Sequence, residues 1–248
     1  MIPLTVDVPM KQLPWANWAL ILFTAAVSAG ALYTTGGHID RSPLLLGGPG
    51  GAPYQVATAL FVHAGFVHLA ANMLFLFIFG NPINSKLGHL GFIATYLGLG
   101  ALTSVLWMLF GPTTPSLGAS GAIMGLCGMF LVLYPRNTVQ VFWDEGALML
   151  SNQGWINDVP GWGVVVAFVA FDLYGMIIDR GSNIGYAAHL IGCLLGAGLA
   201  VGLLKAGRLK PDVGEQNLLQ WWAGEGPVER KPRRRGRKEQ LTPEEKTA

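Results

Sequence analysis

The sequence predicts an all-α polytopic membrane protein with six transmembrane helices. Of its 248 residues, 52% are hydrophobic and 12% are charged, whereas a soluble domain carries about 25% charged residues. The mean hydropathy is +0.45. Several uncharged apolar runs are also long enough to cross a hydrocarbon core of about 30 Å at a helical rise of about 1.5 Å per residue. These observations exclude a soluble domain.

Three segments follow from the distribution of charge. Residues 1–13 form a short N-terminus in water, and they lack the basic region and small-residue cleavage site of a signal peptide. Residues 14–205 form the membrane domain. Residues 206–248 form a basic tail that we expect to be largely disordered. Its basic cluster, at residues 231–238, is expected to fix the topology or contact anionic lipid. Because no aromatic residues interleave that cluster, no nucleic-acid partner is predicted.

Six apolar runs are predicted to span the membrane, at about residues 15–35, 57–79, 87–110, 120–134, 159–178 and 184–204. The tryptophans at positions 15, 18 and 162 mark membrane interfaces. Gly80-Asn81-Pro82 is expected to end the second span. Residues 36–57 form a long connection rich in glycine and proline, and such a loop is usually functional or disordered. Its Leu44–Leu46 triplet is expected to lie at the membrane surface.

The connection at residues 135–158 is more polar, and its alternation of Val139, Val141 and Trp143 is too brief to predict a strand. Basic residues then fix the orientation of the spans. With six spans, Lys11, Lys86 and the basic tail fall on one side, and the opposite side holds few basic residues. The positive-inside rule therefore places both termini in the cytoplasm.

Gly118-Ala119-Ser120-Gly121 stands at the start of the fourth apolar run. The first N–H groups of a helix are unpaired, and the helix dipole there favours negative charge. The glycines also allow another helix to come close. An acyl-transfer serine needs this combination, although helix capping or close packing also explains the tetrapeptide on its own.

The predicted topology brings four polar side chains to a similar depth near the outer surface. Ser120 is the candidate nucleophile, and His189 is the candidate general base and acid. His68 and Asn72 lie four residues apart on one helix face and are candidate donors to an oxyanion. The alternatives are a purely structural histidine at 189 and a polar contact between helices at 68 and 72.

The remaining candidates have supporting roles. His63 is expected to be structural and to bond the outer loop. Asp172 is expected to have a structural or gating role, with Arg180 as its only obvious charge partner. Gly192 and Gly196 form a small-xxx-small pair for close helix contact. The two cysteines lie in apolar runs as packing residues, and no metal-ligand or phosphate-binding motif is present, so no metal or cofactor is predicted.

Three motifs in the predicted spans resemble those of the rhomboid intramembrane serine proteases over about residues 15–205: His63-x4-His68-x3-Asn72, Gly118-x-Ser120-Gly121 and Ala188-His189-x2-Gly192. Phe171–Met176 is also similar to the fifth-helix segment of several bacterial members. The resemblance implies a six-helix rhomboid-like bundle of the prokaryotic type.

The resemblance also implies an activity. Peptide bonds within or beside the transmembrane segments of substrate proteins would be hydrolysed by a Ser120–His189 dyad without an acidic third member. His68, Asn72 and Gly118 would serve the oxyanion, and Gly121 and Gly192 would support the packing. The expected partners are transmembrane protein substrates and membrane lipid, and the expected location is a prokaryotic cell membrane, since no Arg/Ser-rich leader or extra span is seen.

Two positions depart from the family pattern. Tyr54-Gln55 stands where many members have a Trp-Arg pair, and Met124 stands where many have a tyrosine that stacks on the catalytic histidine. Neither change removes a chemical group from the reaction. One alternative is a catalytically silent member that binds membrane clients, but such members usually lack the serine or histidine, and both are present here. A transporter or channel is another alternative, but it predicts charged residues deep in several spans or broken helices in paired halves, and neither is seen.

Overall fold

The computed structural model describes residues 2–47, 52–110, 116–144, 154–179 and 185–229. The chain is mostly helical. Its α-helices are α1 (Trp15–Thr34), α2 (Gln55–Thr58), α3 (Phe66–Phe110), α4 (Ser120–Leu133), α5 (Gly161–Ile178), α6 (Tyr186–Lys205) and α7 (Leu218–Trp222). Its strands are β1 (Ile2–Val6), β2 (Thr138–Asp144) and β3 (Gly154–Pro160).

Within these ranges, four helices are long and apolar enough to cross a membrane: α1, α3, α5 and α6. Helix α3 has 45 residues, which corresponds to about 68 Å, roughly twice the thickness of a hydrocarbon core. Gly88 breaks it with φ 75° and ψ 170°, a conformation that glycine adopts readily. Helix α4 has only 14 residues. The helical membrane protein is thus confirmed, whereas the count of six crossings stays a prediction.

The predicted boundaries of the second span are wrong at both ends. The helix begins at Phe66 instead of Ala57, because the preceding residues form short helical turns. It also continues through Pro82 as far as the break at Gly88. Helix α1 packs against this stretch, and its Asn17 side chain donates to the Leu76 carbonyl oxygen and to Asn81 Oδ1, both at 2.8 Å. Transmembrane helices tolerate proline where neighbouring helices support them.

A three-stranded antiparallel sheet, in the order β1-β2-β3, corrects the all-α prediction. Strand β1 lies in the N-terminal segment that was expected to be free in water, and it pairs with β2. Val139 and Val141 are fully buried on one face of β2, so the short alternation does mark a strand. Its partner β1 lies more than 130 residues away in the chain, so no local sequence pattern predicts the pairing.

The outer connection is held by hydrogen bonds where the structure describes it. Leu46 and Ser116 form an antiparallel bridge, with N–H to O distances of 3.0 and 2.9 Å. The buried Gln55 amide donates to the Pro43 carbonyl oxygen at 3.0 Å. Leu45 and Leu46 are buried against the protein. Gln55 therefore anchors this loop.

The first part of the tail packs beside the break in α3 through charged groups. Lys86 contacts Asp212 at 2.9 Å and Glu215 at 2.5 Å, and its side chain is only 6% exposed. Lys11 also contacts Asp212. Burial alone would raise the pKa of Asp212, but hydrogen bonds from the two lysines outweigh it and lower this pKa. The basic cluster at residues 231–238 lies outside the described residues, so the disorder of the tail stays a prediction.

We expect Lys86→Met to release the tail from the bundle. The substitution leaves Glu215, whose side chain is 7% exposed, as a buried charge without its cation. Breaking a buried ion pair from one side costs about 3–5 kcal/mol. The measurement is limited proteolysis in detergent, with faster cleavage expected between residues 206 and 229.

Lys11→Met is the matched control, because the Lys11 side chain is 62% exposed and exposed pairs contribute about 0–1 kcal/mol. Equal protection of the tail in the two variants would contradict a role for Lys86 in its docking.

Candidate active site

A cavity of about 570 Å³ opens between α3, α4, α5 and α6. Its polar lining comes from Asn72, Ser120, Asp172, Tyr186 and His189, and the rest of the lining is apolar. Four of these residues, Asn72, Ser120, Asp172 and His189, are candidates from the sequence. They come from four separate helices, α3, α4, α5 and α6, which the fold brings together around one cavity.

The turn before Ser120 has a backbone conformation that suits glycine. Gly118 has φ 108°, and a Cβ atom there would lie 3.0 Å from Cε1 and 3.2 Å from Nε2 of the His68 ring. Glycine therefore lets the turn pass close to His68. Helix α4 begins at Ser120, and the N–H groups of its first turn have no helical acceptor.

The predicted oxyanion role of Gly118 is not supported. Its backbone N–H donates to the Ala59 carbonyl oxygen at 2.9 Å, so this donor is already used within the protein. The group that remains on this side of the cavity is the N–H of Ser120 itself, at the first position of α4. Gly118 instead positions the turn against His68.

His63 connects α1 to the turn that carries Ser120. Its ring is fully buried, its Nδ1 lies 2.9 Å from the Ser28 Oγ, and the Ala119 N–H lies 3.3 Å from its Nε2. Burial, helped by the nearby His68 ring, lowers the pKa of His63 to about 3, so the ring is neutral at pH 7. Because Nε2 accepts from the backbone, Nδ1 carries the proton and donates to Ser28.

His68 and Asn72 lie in the first turns of α3, beside the cavity. The Ala64 N–H is 3.4 Å from His68 Nδ1, so an uncharged ring would carry its proton on Nε2, the atom near Gly118. The Asn72 amide donates one hydrogen to the His68 carbonyl oxygen at 2.9 Å, and its second hydrogen has no such bond among the described residues. Asn72 thus keeps one N–H that is unbonded among the described residues, and His68 Nε2 lies beside the turn that carries Ser120.

Asp172 contacts His189, which the sequence analysis did not predict. Asp172 Oδ1 lies 3.0 Å from His189 Nδ1 across the α5–α6 interface. Arg180, the partner expected from the sequence, lies outside the described residues. The positions of the two residues in their helices could have predicted this contact. Asp172 lies six residues before the end of α5, and His189 lies three residues after the start of α6. In antiparallel neighbouring helices, these positions have similar depth.

Ser120 and His189 line the same cavity, but no hydrogen bond joins their side chains in the part of the chain that the structure describes. Their neighbours define how close the two helices come. A Cβ on Gly121, next to Ser120, would lie 3.8 Å from the carbonyl oxygen of Ala188, next to His189. Since Asp172 occupies Nδ1 of the ring, Nε2 is the nitrogen that is left to accept a proton.

Glycines bring the backbones of α4 and α6 into direct contact. A Cβ on Gly192 would overlap the carbonyl oxygen of Gly121, and one on Gly196 would overlap that of Gly125. A Cβ on Gly128 would likewise overlap the Cys193 carbonyl oxygen. This is the close approach that the Gly192/Gly196 pair predicts, and it fixes the two helices that carry Ser120 and His189.

A family model described as the Rhomboid domain matches residues 50–206, more than half of the chain. This chain belongs to the rhomboid family. The matched region of this rhomboid contains α2 to α6 and every residue that lines the cavity.

Curated relatives agree with this family. Rhomboid protein 1, mitochondrial, from Saccharomyces cerevisiae is 34% identical over 151 residues, which cover 57% of this chain and 39% of the relative. Rhomboid-like protein 11, chloroplastic, from Arabidopsis thaliana is 32% identical over 148 residues, covering 58% and 50%. Rhomboid protease GluP from Bacillus subtilis is 31% identical over 154 residues, covering 62% and 27%.

This rhomboid thus spans half or less of the length of these relatives. The family includes proteins named as proteases, and the helices place this member among membrane proteins. By their names, one of these relatives is mitochondrial and one is chloroplastic, and the third comes from a bacterium. They therefore do not support the predicted location in a prokaryotic plasma membrane.

Proposed function

We propose that this rhomboid is an intramembrane serine endopeptidase, which cleaves transmembrane or juxtamembrane segments of membrane proteins through Ser120 and His189. The observation that carries the proposal is the shared cavity, into which the Ser120 side chain and a His189 ring with Nε2 available both open. The six crossings would be α1, the two halves of α3, and α4, α5 and α6. Both termini would be cytoplasmic.

The chemistry follows from these groups. Nε2 of His189 takes the proton from Ser120 Oγ as the oxygen attacks the scissile carbonyl carbon. The tetrahedral intermediate then expels the amine, to which the imidazolium returns the proton. A water molecule, deprotonated by the same nitrogen, attacks the acyl-enzyme, and Ser120 leaves with its proton restored. The second product is a carboxylic acid, so the atoms balance over the two steps.

The developing oxyanion is served by three donors in this proposal: the Asn72 amide, the His68 Nε2–H and the Ser120 backbone N–H. Donors that are fixed before the reaction stabilise the charge as it forms, because they need no reorganisation at that moment. The first turn of α4 adds the positive end of its helix dipole.

The apolar wall of the cavity favours an apolar substrate segment. Phe75 of α3 and Phe168 of α5 pack edge to face, with their ring centroids 4.7 Å apart. Met124, which is buried, also lines the cavity. A transmembrane segment that unwinds locally would match this lining, and the family resemblance implies a small residue before the cut. The proposed substrates are therefore single-span membrane proteins.

We expect Asn72→Ala to lower kcat by about 10²–10³ with little change in KM, because the amide would contact only the charge that develops in the transition state. The measurement is steady-state cleavage of a reporter substrate in detergent. Thermal unfolding of the variant is the control, since the lost bond to His68 is worth only about 1 kcal/mol. Unchanged kcat in a folded Asn72→Ala variant would remove this residue from the oxyanion role.

The second candidate function is a catalytically weak rhomboid-like protein that binds membrane clients. The observation in its favour is that Ser120 and His189 are not hydrogen-bonded to each other among the described contacts. In a protease of this kind, substrate binding would have to bring the two groups together, and catalytic hydrogen bonds often tighten only in the complex.

Labelling with a serine-directed fluorophosphonate tests the proposal directly. The protease is expected to form a covalent adduct on Ser120, located by mass spectrometry of the peptide, and to cleave a transmembrane reporter in liposomes. Ser116→Ala is the matched control, since Ser116 bonds to Leu46 through its backbone. A folded protein that binds the reporter without labelling or cleavage would support the second candidate instead.

A further inference from the structure

Asp172 supplies the one carboxylate among the described residues that line the cavity. Its side chain is 6% exposed, and the His189 side chain that it contacts is 19% exposed. A buried carboxylate in an apolar helix is costly unless a partner satisfies it. Within the described part of the chain, the partner given by geometry is Nδ1 of His189, 3.0 Å from Oδ1.

The packing of α5 on α6 holds Asp172 in this position. Asp172 and Gly175 lie three residues apart on one face of α5, and Asp179 directly follows the helix. The absence of a side chain at Gly175 makes room for the Tyr186 ring, which a Cβ there would overlap. The Tyr186 hydroxyl also donates to Asp179 Oδ2 at 3.3 Å. Tyr186 and His189 are three residues apart on the facing side of α6.

We infer that Asp172 is a positioning residue for His189, an inference that rests on the proposed function. The carboxylate accepts the Nδ1–H of the ring, which selects the tautomer with an unprotonated Nε2 and fixes the ring plane. When Nε2 takes the Ser120 proton, the nearby negative charge stabilises the imidazolium. Asp172 itself gains no proton in either step.

This role differs from the two-residue mechanism that the family resemblance implies. Two other groups at the site, His68 and Ser120, do not take the place of Asp172 in this role. His68 lies on the α3 side of the site, with its own Nδ1 bonded to Ala64, and Ser120 lies on α4. Neither offers a negative acceptor to Nδ1 of His189. Asp172 therefore adds the acceptor on the α5 side of the ring.

Kinetics of Asp172→Asn give the first test. We expect kcat for a transmembrane reporter to fall by about 10²-fold or more, because a wrongly oriented general base loses most of a factor of about 10²–10⁴. We expect KM to stay within about twofold, and the rate of fluorophosphonate labelling of Ser120 to fall in parallel. Asp158→Asn is the matched control, because this exposed carboxylate on β3 does not line the cavity. It should retain near wild-type kcat.

Nitrogen NMR gives a second test that does not need activity. In a Ser120→Ala background with ¹⁵N-labelled histidine, the His189 signals, assigned with a His189→Gln variant, should show a protonated Nδ1. Asp172→Leu should shift the proton toward Nε2. Adding formate to Asp172→Ala should restore part of kcat, as expected for a missing carboxylate and not for a missing packing contact.

Two outcomes would overturn the inference. One is unchanged kcat and an unchanged His189 tautomer in the Asp172 variants. The other is faster reporter cleavage by Asp172→Asn with an unchanged labelling rate, which would make Asp172 a latch that holds α5 closed. Both outcomes leave the proposed function standing, whereas cleavage by Ser120→Ala would remove the proposed function itself.

Discussion

Ser120→Ala is expected to abolish cleavage of a transmembrane reporter, with a loss of at least about 10³ in the single-turnover rate, and His189→Ala is expected to fall to the same level. The physical reason is that the two groups act in one proton transfer. Without His189 no base accepts the Ser120 proton, and without Ser120 there is no hydroxyl for His189 to deprotonate. The double variant should therefore be no slower than the single ones, because residues that act as a unit show strongly non-additive effects.

The measurement is single-turnover cleavage in liposomes, with excess enzyme, so that substrate entry and product release do not hide the chemical step. His89→Gln is a suitable control. Its ring contacts Asn84 at 3.3 Å, beside the break in α3 and away from the cavity. Losses that multiply in the double variant would show that Ser120 and His189 act independently, and the proposed mechanism would then be wrong.

Gly192→Ala is expected to damage both the stability and the activity of the protein. The added methyl group would overlap the carbonyl oxygen of Gly121, which is backbone and cannot rotate away. Overpacking of this kind costs about 1–3 kcal/mol, and for a chain of this size each kcal/mol lowers Tm by about 2–4 °C. Because α4 and α6 must separate, Ser120 and His189 also move apart. We expect a Tm about 5–10 °C lower and little residual cleavage.

Helix α6 offers its own control. A Cβ atom added at Gly198 would have no neighbour within 4 Å among the described residues, and the same holds at Gly202. Gly198→Ala should therefore leave activity intact and raise stability slightly, since alanine is favoured over glycine in a helix by about 1 kcal/mol. Similar effects of Gly192→Ala and Gly198→Ala would contradict the view that backbone contact at Gly192 holds together the helices that carry Ser120 and His189.

The features that the sequence predicts well are those written in local patterns. Apolar runs locate the membrane helices, because membrane burial needs long uncharged segments whatever their neighbours are. The small residues at 192 and 196 predict the close contact with α4 in a similar way, since their spacing places both on one helix face. The charge asymmetry and the order of the spans then predict that Ser120, His189 and Asn72 lie at a similar depth, and all three line one cavity.

What the sequence does not reveal depends on partners that are far away along the chain. Val139 and Val141 mark a strand only once β1 lies beside them, and Asp172 has a role only once α6 brings His189 to it. Pro82 is misleading for a related reason. A proline normally ends a helix, but here α1 packs on the same stretch and Asn17 bonds to its backbone. The helix breaks instead at Gly88, whose φ of 75° and ψ of 170° are both non-helical.

The pairing of β1 with β2 has a consequence for biosynthesis. Strand β1 leaves the ribosome long before residue 138 is made, so its hydrogen-bonding partners do not yet exist when α1 enters the bilayer. Strand β1 therefore stays unpaired until α1, α3 and α4 have all been synthesised. Its pairing with β2 then joins the beginning of the chain to the middle. An affinity tag fused ahead of Ile2 would lie next to this late-forming strand pair, whereas a tag fused after the tail would not.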